Sequence, residues 1–151
     1  MREIRVEAGR VRTQLGTLAD RDATAFDGVM EALRMPKDTD QQKAVRSAAI
    51  QRGYLAAAQV PLEIARASAA LLPLAVETVE RGNVNAASDG ASAAHLLFAG
   101  TECAIANVQI NAAALKDQDA ASRLREEVMS MQRMAEEQLA LSKASFAERV
   151  G

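Results

Sequence analysis

Three aspartates, Asp20, Asp22 and Asp27, stand in the segment LADRDATAFDGVMEALRMPK, whose other residues are largely apolar and helix-favouring. A carboxylate can hold a cationic centre or pass a proton, so the first question is what each of the three can do. On a helix, residues spaced by four, seven, eight and eleven share a face, which aligns Asp22 with Phe26, Val29, Met30 and Leu33 and turns it toward the core. Asp27 aligns with Glu31 and Arg34, a polar stripe that belongs in water. Asp20 sits ahead of the first turn, where a carboxylate accepts unpaired amides and meets the positive end of the helix dipole. Two readings of Asp22 stay open at this level: a second capping residue, or a half-buried carboxylate able to exchange protons with a ligand.

A second polar set lies in RGNVNAASDGASAAHLL, where Asn83, Asn85, Ser88 and Asp89 gather at the junction of two helices. Such residues cap helix ends, or they bind a ligand. Further along, Asn107 and Asn111 are four apart and align with Leu96, Gly100 and Cys103, a face predicted to be buried. Buried amides need partners, either on a neighbouring helix or on a heteroaromatic ligand. Lys37, with Arg34 and Arg46, reads as a solvated charge near a turn, and equally as a receiver for an anionic substrate tail.

The elements that must carry these residues follow from composition. The chain has 151 residues, 49% of them hydrophobic, which is enough for one domain with a core, residues 1–151. A net charge of −2 creates no field for nucleic acid or an anionic membrane, and it favours basic partners no more. One histidine, His95, and one cysteine, Cys103, cannot form a disulfide framework or an ordinary zinc site, and both are expected to be packing residues. The first twenty residues are too polar for a secretory signal, and no apolar run is read as long enough to span a bilayer, so a soluble cytoplasmic protein is expected. Aromatic residues make up 3%, tryptophan is absent and alanine abounds, which favours closely packed helices over sheet.

Periodicity predicts an all-α antiparallel bundle of five to six helices. Ile4, Val11, Leu15 and Leu18 form one stripe over Arg2 to Ala19. A second helix opens at Asp20 or Asp22 and stops before Pro36, with PKDTD as the turn. A third, Gln41 to about Val60, carries Val45, Ala48, Ala49, Gly53 and Ala56, and Pro61 breaks or kinks it into a fourth, Leu62 to Arg81. Gly82-Asn83 ends that helix. An Ala- and Gly-rich fifth runs from Ala86 to Leu115, and Asp117 and Asp119 cap a last helix from Ala120 to Arg149, whose Leu124, Val128, Met131, Ala135 and Gln138 suit a bundle seam or an interface helix.

DRDATAFDGVMEALRMPK, AAAQVPLEIA, RGNVNAASDGASAA and NVQIN before Lys116-Asp117 together resemble the cyclodeaminase/cyclohydrolase family. That family includes the C-terminal half of formiminotransferase-cyclodeaminase and stand-alone methenyltetrahydrofolate cyclohydrolases. The resemblance implies an all-helical, homodimeric enzyme of one-carbon folate metabolism that needs no metal or redox cofactor. Members close 5-formimidoyltetrahydrofolate to the methenyl form with loss of ammonia, or open the methenyl form with water. In the family's Asp-x-Asp-x-x-Ala-Phe motif the catalytic aspartate falls on Asp22. Asn83, Asn85, Ser88, Asp89, Asn107 and Asn111 then become candidates for fixing the pterin, and Lys37 for the glutamyl tail. The family's upstream Gly-Gly-Gly-Ser loop has no counterpart in this chain, so an N-terminally truncated form of the fold is expected. The alternative is a non-catalytic helical interaction module of the same family.

Overall fold

A computed structural model describes residues 1–151, and five α-helices account for nearly all of them: α1 (Arg2–Arg34), α2 (Asp40–Ala69), α3 (Leu72–Arg81), α4 (Ala87–Ala113) and α5 (Gln118–Val150). A short 3-10 turn, Val84–Ala86, joins α3 to α4.

The first helix corrects the expectation of a break at Asp20–Asp22. It runs through both residues, and the Asp20 carbonyl lies inside it, accepting a hydrogen bond from Thr24 Oγ1 at 3.0 Å. Asp20 therefore caps nothing. An aspartate inside a helix costs less than about 1 kcal/mol, and Ala19, Ala23 and Ala25 around it favour continuation. The stop before Pro36 is as expected: Met35 is extended, with φ −58° and ψ 148°. Arg46 of α2 donates to the Leu33 carbonyl at 3.0 Å, satisfying the end of α1. Helix α2 opens on a capping box, in which Gln42 N donates to Thr39 Oγ1 at 3.2 Å and Thr39 N donates to Gln42 Oε1 at 3.1 Å.

Pro61 lies inside α2, which continues past it to Ala69, so of the break or kink expected there the break does not occur. The break comes at Ala70–Leu71, because Pro73 has no amide for the Ala69 carbonyl, and the last turn tightens through Leu71 N to Ser68 O at 3.1 Å. At the far end Asp117 caps α5, its Oδ1 accepting from Asp119 N and Ala120 N, while Asp119 belongs to the first turn.

The core is built where α2, α4 and α5 meet. Ala58, Leu62, Ala65 and Ala69 of α2 pack with Ala104, Ile105, Val108 and Ala112 of α4 and with Ala121, Leu124, Val128 and Met131 of α5. Alanine at half of these positions lets the backbones approach closely. A smaller cluster, Leu72, Ala75, Ala94, Ala135 and Leu139, seats α3 on α4 and α5. There Gly90 is obligatory, since a Cβ would stand 2.9 Å from Val79 Cγ2 and 3.1 Å from Val79 N. Helix α1 packs chiefly on α2, through Val11 against Ala67 and Leu71 at one end and Val29 against Gly53 at the other.

Gln51 of α2 secures the α4–α5 turn, donating to the Ala114 carbonyl at 3.1 Å and accepting from Lys116 N at 2.6 Å. The stretch Asp40–Arg81 does contain a window long and apolar enough by composition to cross a bilayer, contrary to the reading of the sequence. Most of that window is buried inside the bundle, which marks it as core. Val45, Ala48 and Ala56, expected on the inner face of the first half of α2, are exposed, because Gly53 takes the contact with α1 while Ser47, Gln51 and Tyr54 turn toward the α4–α5 side.

Candidate active site

Asp22 sits in the middle of α1, half-buried as the helical wheel requires, on the line of Leu18, Ala25, Val29 and Ala32 that faces α2. Its neighbours on that wheel behave differently. Phe26 is 62% exposed and Leu33 37%, so the inner stripe is narrower than expected and Asp22 stands on its margin. Arg21 beside it is spent on Glu63, at 2.7 and 3.0 Å, and holds that carboxyl below the usual carboxylate range through these hydrogen bonds. The Asp22 carboxylate itself enters none of the chain's hydrogen bonds or ion pairs.

Cross-helix contacts fix what lies level with it. Val29 meets Gly53 and Arg21 meets Glu63, which puts Asp22 beside Pro61 on the antiparallel α2. On the other flank of α2, Asn111 meets Ala57 and Gly100 meets Ser68, which puts Asn107 beside Pro61 as well. Asp22 and Asn107 thus share one level of the bundle, on the two helices that flank α2. A shallow groove lined by Thr24, Gly28, Arg52 and Ala56 occupies one edge of α1, and Asp22 lies on the opposite edge, the one on which Ile4 and Ala8 line a groove with Ala93, Leu96 and Leu97 of α4.

The face of α4 that carries the asparagines corrects the sequence reading. Leu96 is 74% exposed, and Gly100, Cys103 and Asn107 are exposed with it; His95 is exposed too. The stripe looked buried because its residues are small or apolar, but no element of this chain covers it. Asn111 is half-buried, and its Nδ2 donates to Ala57 O at 2.9 Å and to Asn107 O at 3.0 Å. Arg46, considered as a charge for an anionic tail, is committed to Leu33.

The remaining candidates lie elsewhere. Asn83 Oδ1 accepts from Asn85 N at 3.0 Å and so caps the 3-10 turn, with Asn85, Ser88 and Asp89 exposed around it. From Asp89 to the level of Asn107 the rise along α4 is about 27 Å. Lys37 is exposed in the α1–α2 turn, about 20 Å along α1 from Asp22 in the other direction. One chain therefore brings Asp22 level with the asparagine pair, and leaves Lys37 and the Asn83–Asp89 turn at opposite ends. Sequence reasoning missed Ala57 and Gln51 as partners of the asparagine-bearing helix. A proline four residues after Ala57, which must free that carbonyl, was the available signal for the first.

A family model described as formiminotransferase-cyclodeaminase matches residues 1–130. The chain is 42% identical over 119 residues to a methenyltetrahydrofolate cyclohydrolase of Methylorubrum extorquens, covering 78% of this chain and 57% of that protein. It is 37% identical over 128 residues to a formimidoyltransferase-cyclodeaminase of Sus scrofa, covering 85% of this chain and 24% of that one. The chain thus spans little more than half of the first relative and about a quarter of the second. Its fold is similar to the crystal structure of a formiminotetrahydrofolate cyclodeaminase from Thermotoga maritima, with a TM-score of 0.81 and 26% identity, covering 95% of this chain and 67% of that one. From matched segment, shared fold and shared sequence together, the chain belongs to the formiminotransferase-cyclodeaminase family.

Proposed function

We propose that this chain is a folate one-carbon enzyme acting at the N5/N10 bridge, and that it opens 5,10-methenyltetrahydrofolate with water. The observation that carries this reading is that the matched segment, residues 1–130, contains Asp22, Asn107 and Asn111, while a relative 42% identical is a methenyltetrahydrofolate cyclohydrolase. The methenyl carbon lies between two nitrogens and carries amidinium-like positive charge. A carboxylate at Asp22 attracts that charge and takes a proton as water adds to the carbon. The tetrahedral centre then collapses: Asp22 returns its proton to N5 as the bond from the carbon to N5 breaks, the hydroxyl proton passes to solvent, and the formyl group remains on N10. Asn107 carries an unused amide at the same level, and an amide supplies both the donor and the acceptor that a pterin edge demands.

The reaction in which N10 attacks a formimidoyl carbon and ammonia departs is a second reading, supported by the relatives named as cyclodeaminases. It uses the same tetrahedral carbon, with Asp22 giving a proton to the leaving ammonia. Both readings favour a cytoplasmic homodimer. Leu96, Ile110 and Phe26, exposed at 74%, 68% and 62%, present apolar surface that a second copy would cover. A partner subunit would also supply the end groups, Lys37 and the Asn83–Asp89 turn, that one chain keeps far from Asp22. Loss of methenyl absorbance on incubation with 5,10-methenyltetrahydrofolate tests the proposal. A rate above buffer that disappears in Asp22→Asn supports it; equal rates for parent, variant and buffer reject it.

A further inference from the structure

Within an α-helix a carbonyl receives the amide four residues later, and proline has none to give. Pro61 therefore strips the Ala57 carbonyl of its partner in the middle of α2, at a point where both residues are buried. An unpaired carbonyl at such a place is costly and bends helices. Asn111, from the other flank, supplies the missing donor: its Nδ2 lies 2.9 Å from Ala57 O. The same nitrogen donates to Asn107 O at 3.0 Å, so both amide hydrogens of Asn111 are spent inside the chain and only Oδ1 is left.

We propose that Asn111 is a positioning residue and not a substrate ligand: it locks α4 onto α2 at the carbonyl that Pro61 frees, and so sets the height and rotation at which Asn107 stands level with Asp22. Pro61 is the only proline inside the helix, so it marks a single place where a side-chain amide can dock without competing with a backbone amide. What the lock positions rests on the folate reading above; the lock itself does not.

A double-mutant cycle separates the two. The parent, Asn111→Ala, Pro61→Ala and the double variant are compared in urea unfolding and in binding of 5-formyltetrahydrofolate by calorimetry. With Pro61 in place, Asn111→Ala raises the unfolding equilibrium constant about tenfold. In the Pro61→Ala background the new residue gives its own N–H to Ala57 O, and the same change raises the constant less than about threefold. Binding weakens by a similar factor, about three- to tenfold, in each single variant, and the double variant is no worse than either. Should Asn111→Ala fail to fold alone, the double variant folds. Equal unfolding costs in both backgrounds, or a double variant that also fails to fold, overturns the lock. Parent-like binding by Pro61→Ala with loss only in Asn111→Ala overturns the positioning role, because Asn111 then touches the ligand. A parent that binds no folate rejects the folate reading, and the unfolding cycle still decides whether the lock exists.

Discussion

The two ends of α2 live in different surroundings. Its second half, from Ala57 onward, is enclosed by α1, α4 and α5, and buries Ala58, Leu62, Ala65 and Ala69. Its first half buries nothing, and leans on an α1 that buries only Val11, Leu18, Val29 and Ala32 along its whole length. One region is a finished interior made of alanine contacts. The other is a helical hairpin of α1 and α2, tied to the rest of the bundle at the α4–α5 turn through Ser47 and Gln51, and the proposed catalytic carboxylate lies on the margin between the two regions. A group on such a margin has its backbone fixed by the helix and its side chain left reachable on the open side.

The sharpest test of that division is Asp22→Asn. We expect turnover of 5,10-methenyltetrahydrofolate to fall by about 10²- to 10⁴-fold. The urea midpoint should stay put, with a change within about 0.5 kcal/mol, as at a margin that carries no packing. Next comes Leu72→Ala in the enclosed region, where a fully buried side chain is lost; unfolding in urea should show a cost of about 2–5 kcal/mol. A comparable loss for Phe26→Ala in the hairpin would erase the contrast.

Glycines give a finer comparison. Gly90→Ala drives a Cβ into Val79 and should cost about 1–3 kcal/mol by thermal or chemical unfolding. Gly16→Ala meets nothing within 4 Å and should instead stabilise by about 0.5–1 kcal/mol, through the helix propensity gained. The smallest effect belongs to the Arg21–Glu63 pair that ties α1 to α2. Because the folded Glu63 carboxyl is held below its unfolded value, its contribution is complete above the unfolded value and drains away as pH falls through the folded one. Glu63→Gln should flatten that acid limb of the stability profile, slightly, since the pair is exposed and screened.

Much of this was legible in the residues. The stripe from Val11 to Leu18, the stop before Pro36, the Asp117 cap and the seam of α5 each follow from a local rule, and the structure keeps them. Asp22 also faced inward as its spacing demanded. The misreadings have a common physical source. Asp20 and Asp22 look like caps because the same side chains serve at helix starts, yet the cost of aspartate in a helix interior is small enough for flanking alanines to override. Pro61 looks like a break because the donor that repairs its helix comes from Asn111, far along the chain. The stripe from Leu96 to Asn107 looks interior because periodicity gives a direction and says nothing of what occupies it. The dispersal of Lys37 and the Asn83–Asp89 turn was equally hidden, since helix length, not motif order, decides how far apart they fall.

Gln51 reaches from α2 to both the Ala114 carbonyl and the Lys116 amide of a turn more than sixty residues away in the chain. Helices α4 and α5 can meet as a local pair, but that turn stays incompletely bonded until α2 arrives. The Lys116 amide is thus a built-in reporter of that contact: its protection from solvent deuterium should vanish in Gln51→Ala, and in the parent it should be lost whenever this end of α2 opens locally, ahead of global unfolding.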